Sequence, residues 1–196
     1  MRRLKRLLTL AFVVLAALYL FLVLNVNVLF VPSDELEPSL SANQIVLISR
    51  ETVAEPGDVV AIESHERVLL RRVFTHGPTA VSCFKGIGFE NGQMKRFVQV
   101  GEIGDDGQNE GVITEQWGTH SILIKRDMKL VPVRSGVKGR VLTIPADELL
   151  VGCQNRIRCN GCGFMSVPRA SIVGRVRNQD DDHVFRWLTA IVAYFR

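Results

Sequence analysis

The sequence predicts a mostly β protein standing behind an N-terminal transmembrane helix. Three observations carry this. An uncharged apolar stretch, Leu7 to Leu24 (LLTLAFVVLAALYLFLVL), follows a basic start. After it come short runs rich in Val, Ile, Leu and Phe, most of them separated by Gly, Pro, Asn or Asp. Beyond Ser33 no segment carries a long helical period until the C-terminus, and there is no repeat and no second domain boundary.

Residues 1–6 form a basic tail containing Arg2, Arg3, Lys5 and Arg6. The chain has 24 Lys and Arg against 20 Asp and Glu, so these four residues account for the whole positive excess. The remainder is balanced, which argues against nucleic-acid binding. Residues 7–29 are assigned to the anchor. A helix rises about 1.5 Å per residue, so roughly 20 residues cross a bilayer core of about 30 Å. A cleaved signal has a shorter apolar region, of about 7–15 residues, and a small-x-small site. Neither is found here. The basic collar then stays inside, and residues 30–196 form one extracytoplasmic domain of a cytoplasmic-membrane protein.

In order, strands are expected at Gln44–Ser49, Asp58–Ile62, Val68–Phe74, Ala80–Phe84, Phe97–Val100, Ser121–Lys125, Gly139–Ile144, Leu149–Gly152 and Ile172–Val176. Asn91-Gly92 is a hairpin turn of the kind that needs positive φ at both central positions. The stretch from Asp105 to Gly111 is a polar loop. Val184–Phe195 is apolar but too short to span, and suits either the membrane surface or the protein body.

The four cysteines are Cys83, Cys153, Cys159 and Cys162. Outside the cell membrane the last three are close enough in sequence for one disulfide between some pair. Free buried thiols are an alternative, as is a zinc site completed by Cys83 or a histidine. The C-x5-C-x2-C spacing does not favour zinc, and no metal or cofactor is expected.

Four segments have an order and spacing that resemble bacterial signal peptidase I. Val31-Pro32-Ser33-Asp34-Glu35-Leu36-Glu37-Pro38-Ser39-Leu40 is similar to that family's P-S-x-S-M-x-P-T-L box. Gly57-Asp58-Val59-Val60-Ala61-Ile62 is similar to its Gly-Asp box. Leu70-Arg71-Arg72-Val73-Phe74-Thr75-His76-Gly77-Pro78 stands where its lysine box would, with Gly and Pro in reversed order. The interval from Gly152 to Pro168 has the length of its last box, whose ordered Asp, Ser, Asp and Arg fall on Cys153, Arg158, Asn160 and Cys162. A one-residue slip instead puts Asn155-Arg156 on the family's Asn-Arg pair.

The resemblance implies an antiparallel signal-peptidase-like domain with a Ser–Lys dyad. Here the nucleophilic serine falls on Glu35 and the general-base lysine on Arg71. A carboxylate has no hydroxyl to attack with, and a guanidinium stays protonated. Ser33 corresponds to the serine that assists the oxyanion, while Leu36, Pro38 and Arg158 belong to the cleft. Strand alternation places Leu69, Arg71 and Val73 on one face of Val68–Phe74 and Val68, Leu70, Arg72 and Phe74 on the other, so only one arginine is expected to face a cleft. Glu35 and Arg71 are expected to pair.

The expected function is a non-cutting protein that engages signal peptides or extended segments of secreted proteins at the membrane lipid. The alternatives are an active peptidase using another group and a structural subunit or assembly factor of a secretion or surface-fibre complex. For the active alternative, candidate groups are a second carboxylate, Asp34 or Glu37, beside Glu35, or Ser33 with His65, His76 or His120.

Overall fold

The computed structural model describes residues 9–17, 19, 26–64, 67–84, 86–102, 110–127, 140–159 and 161–177. Residues 9–17 and 19 are helical, and no helix among the described residues is long and apolar enough to cross a membrane. The basic tail, most of the polar loop and Val184–Phe195 lie outside the described residues. The rest of the described chain is mostly antiparallel strand.

Fourteen strands are described: β1 (Val26–Phe30), β2 (Ile45–Ser49), β3 (Val59–Ser64), β4 (Arg67–His76), β5 (Thr79–Phe84), β6 (Ile87–Glu90), β7 (Gln93–Met94), β8 (Phe97–Glu102), β9 (Glu110–Trp117), β10 (His120–Asp127), β11 (Val141–Ile144), β12 (Glu148–Gly152), β13 (Met165–Pro168) and β14 (Ile172–Val176). Each expected strand is present within a few residues. Residues 26–29, expected at the end of an anchor, lie instead in β1, which pairs antiparallel with β2 from Val26↔Ser49 to Phe30↔Ile45. Asn25 and Asn27 end the unbroken apolar run just there, and Val and Phe in alternation with other residues suit a sheet edge.

The largest sheet runs β1-β2-β14-β3-β4-β12-β13. Smaller sheets run β10-β9-β8 and β11-β5-β6-β7. Asn91 (φ 50°) and Gly92 (φ 77°) join β6 to β7, as the turn chemistry requires.

Both faces of the central strands are covered, which is why β3 reads as four buried residues in succession, Val59 to Ile62. On one face Val60, Ile62, Val73, Leu149, Val151 and Ile172 pack together. On the other, Val46, Ile48, Val59, Ala61 and Leu70 pack with Leu36, which brings the segment after β1 onto the sheet. A third cluster joins Phe74 and Leu150 to Ile113, Trp117, Ile122 and Ile124 of the β9–β10 hairpin. Phe74, Trp117 and Phe164 meet edge-on, with centroids 5.1–5.6 Å apart.

Strand β14 lies between β2 and β3 and pairs with both, with a register irregularity between Ile172 and Gly174. A Cβ on Gly174 would collide with the Ser49 carbonyl and the Ile48 side chain. Gly174→Ala is therefore expected to destabilise the domain by about 1–3 kcal/mol, the usual range for overpacking. Urea unfolding with an unchanged slope and a lower midpoint would show it; an unchanged midpoint would contradict it.

Candidate functional site

The site is built on a short 3-10 turn, Asp34–Leu36, whose Leu36 side chain is buried against the sheet. Burial of Leu36 turns its neighbour Glu35 toward β4. The Glu35 carboxylate Oε2 accepts a hydrogen bond from Arg71 Nη1 at 2.6 Å. The same Nη1 donates to the Leu70 carbonyl at 2.9 Å. The side chains retain 17% (Arg71) and 32% (Glu35) of their exposure, so solvent reaches the pair.

Arg71 and Arg72 end in different settings, Arg71 on the solvent-reached Glu35 carboxylate and Arg72 turned inward. The pairing of β12 with β4 extends only to Gly152↔Arg72, so past that point no strand among the described residues pairs with β4 on this edge. The long Arg71 side chain uses that opening. Arg72 points inward, donating from Nη1 to the Gly57 carbonyl and from Nη2 to Gln154 Oε1 at 2.8 Å. Burial pulls the Arg72 guanidinium down to about 10, against an upward pull from Asp58. Its Nε is buried without a partner among the described residues.

Gln154 ties these parts together. Its amide Nε2 donates to Ser39 Oγ and to the Leu123 carbonyl, both at 2.8 Å. The backbone N–H groups of Gln154 and Asn155 both donate to the Glu35 carbonyl, at 3.0 and 2.9 Å. The loop after β12 thus grips the turn that carries Glu35. Sequence reading missed Gln154, because nothing local marks an amide whose partners lie 31 and 115 residues away.

The neighbouring acids are each taken by a different cation. Asp34 Oδ2 bonds Arg158 Nε at 2.7 Å, and Glu37 Oε2 bonds Lys125 Nζ at 3.1 Å with Asn155 Nδ2 at 3.4 Å. Two carboxylates sharing a proton are the requirement for acid–base work of the aspartic type. Glu35 has no such partner in Asp34 or Glu37. His76 engages its Nε2 with the Ala54 carbonyl at 3.0 Å, His65 lies outside the described residues, and Ser33 caps the turn in extended backbone with no side-chain cap bond.

The cysteines are paired as Cys153–Cys159 and Cys83–Cys162. The first falls within the expected trio. The second corrects the reading, since Cys83 is neither a free thiol nor a metal ligand but is brought to Cys162 across 79 residues. The Glu35 carboxylate and the sulfurs of Cys153 and Cys159 lie within 4.8 Å of one another. Both sulfurs are consumed in the disulfide, so no thiolate is left to bind a metal there.

Glu35 therefore stands against Arg71 and the Cys153–Cys159 disulfide, beside the Asp34–Arg158 pair and with Leu36 buried, while Pro38 follows on a cis peptide bond after Glu37. Asn160 lies outside the described residues. Comparison of the chain with protein-family models and with curated proteins finds no match in either.

Proposed function

We propose that the protein is a membrane-anchored, non-cutting counterpart of signal peptidase I, which engages signal peptides or extended segments of secreted proteins outside the cytoplasmic membrane. The ordered boxes of the sequence support the family, and two disulfides suit an oxidising compartment. The observation that carries the loss of cutting is the Glu35–Arg71 contact at 2.6 Å. At the positions of nucleophile and base stand a carboxylate and a permanently charged cation, bonded to each other. Neither can perform the dyad's step, in which a neutral amine takes a hydroxyl proton. Peptide capture by strand addition needs only backbone hydrogen bonds and shallow pockets, so it does not depend on the dyad.

One observation favours a second reading, that of a structural subunit or assembly factor. The loop Cys153–Cys159 is hydrogen-bonded onto the Glu35 turn and Arg158 closes on Asp34, which narrows the space a peptide would use.

The test is incubation of the detergent-solubilised full-length protein, and of Glu35→Ala, with a fluorogenic signal peptide. Cleavage and binding are both measured, and products are identified by mass. Binding without cleavage by either protein is the expected result. Cleavage after a small residue by wild type but not by Glu35→Ala would make Glu35 catalytic and end the proposal. Neither cleavage nor binding would leave the subunit reading.

A further inference from the structure

On the far side of the cysteine loop lies a second feature that the peptide-binding reading does not use. It is an open pocket of about 1050 Å³ between the Cys83–Cys162 and Cys153–Cys159 bridges, β10 and β11. Three arginines line it: Arg126, Arg140 and Arg156. Val81, Leu142 and Phe164 supply apolar wall.

The three cations are not equivalent. Arg156 has both Nη groups engaged, bonding the two Glu115 oxygens at 2.6 Å with Nη1 also on the Gly86 carbonyl at 2.5 Å, while its Nε is buried without a partner among the described residues. Arg140 is exposed at the mouth. Arg126 is only 4% exposed, yet its guanidinium makes a single hydrogen bond among the described residues, from Nε to the Asp127 carbonyl at 3.3 Å. Its Nη groups, the better half of the fork, donate to nothing described. Burial, and then the charge of Arg156, lower its pKa from the ordinary arginine value, against upward pulls from Glu115 and Asp127. Arginine cannot escape that setting by losing its proton at ordinary pH. The Arg126 Nη atoms are not sealed from solvent, since the buried side-chain atoms left without a partner among the described residues are Arg72 Nε and Arg156 Nε, so this fork is open to the pocket. Asp127 also lines the pocket, so among the described lining residues three arginines stand with one carboxylate, and Glu115 stands behind Arg156.

We infer that this pocket binds a small ligand bearing an oxyanion, held by the free fork of Arg126, with its apolar part against Leu142 and Phe164. Phosphate and carboxylate groups both match the fork, which presents two parallel N–H donors. The size and mixed lining suit an organic anion rather than a bare ion.

The experiment titrates full-length protein in non-ionic detergent with phenyl phosphate, with benzoate and with neutral benzyl alcohol, by calorimetry against empty micelles. Saturable binding of either anion, with benzyl alcohol much weaker, is expected, and the preferred anion identifies the headgroup. Arg126→Met is expected to weaken anion binding by about tenfold or more, the loss of a charge-assisted hydrogen bond, while the ligand-free variant melts no earlier than wild type. No binding of either anion, equal binding of benzyl alcohol, or unchanged anion affinity in Arg126→Met would each overturn the inference. Should Arg126→Met fail to fold, the exposed Arg140→Glu decides: a several-fold loss of anion affinity supports the site, and unchanged affinity overturns it.

Discussion

Arg156→Met is expected to cost the domain about 3–5 kcal/mol, because it leaves a buried carboxylate without its cation. The Glu115 side chain has 0% exposure and that of Arg156 1%. Both Glu115 oxygens are bonded by Arg156, and Trp117 Nε1 at 3.0 Å and the Gly88 N–H at 3.2 Å complete the shell. Removing Arg156 strips out the fork and keeps the cost of burying the charge. Guanidinium unfolding at neutral pH measures this directly. A loss below about 1 kcal/mol, as for a surface pair, would show that water reaches Glu115 in solution.

The pH dependence has a definite sign. Burial alone would raise the Glu115 pKa, but the Arg156 charge and the bonds from Arg156, Trp117 and Gly88 outweigh it and hold the group below the usual carboxylate range. A lowered native pKa means that the unfolded chain binds the proton more tightly. The stability contributed by Glu115 is therefore fully present above its unfolded value of about 4.3 and is lost as pH falls through the native value. In Arg156→Met the burial effect is unopposed by that charge, so this acid-side loss should shrink or reverse.

The second large effect concerns the bridges. Joining Cys83 to Cys162 closes a span of 79 residues, and Cys153 to Cys159 a span of 6. On the chain-entropy model these constrain the unfolded state by about 4.5 and about 2 kcal/mol respectively. The double variant Cys83→Ser, Cys162→Ser should accordingly lose roughly twice the stability of Cys153→Ser, Cys159→Ser in denaturant titrations. The reverse order would mean that the short bridge acts chiefly in the native state, by holding Gln154 and Asn155 on the Glu35 carbonyl.

Much of the fold was legible because apolar runs and turn residues are local signals. β4 and β12 were found from their own composition, and Asn91-Gly92 announced its hairpin. β9 was missed because Glu110, Thr114, Glu115 and Gln116 break its apolar pattern. Glu115 is tolerated at the centre only because Arg156, 41 residues later, neutralises it. β6 and β13 are short, and β6 carries a glycine where Trp117 leaves no room for a side chain, since a Cβ on Gly88 would stand 2.6 Å from the indole. At the site, Glu35 and Arg71 could be singled out because each falls where the resembled boxes carry a residue with a defined role. Gln154, Lys125 and Arg126 could not, because their meaning comes from partners or spaces that exist only after folding.

The placement of β14 has a consequence for how the chain is made. During vectorial synthesis β1 and β2 emerge first, then β3, β4, β12 and β13, yet β2 and β3 never touch as strands. Until Ile172–Val176 arrives, the nascent protein holds two half-sheets, each with a raw inner edge of unsatisfied backbone donors and acceptors. The last described strand is thus the keystone, and closure of the main sheet waits on it. Such late, long-range pairing is slow to find its register and leaves both edges open to other extended chains in the interval.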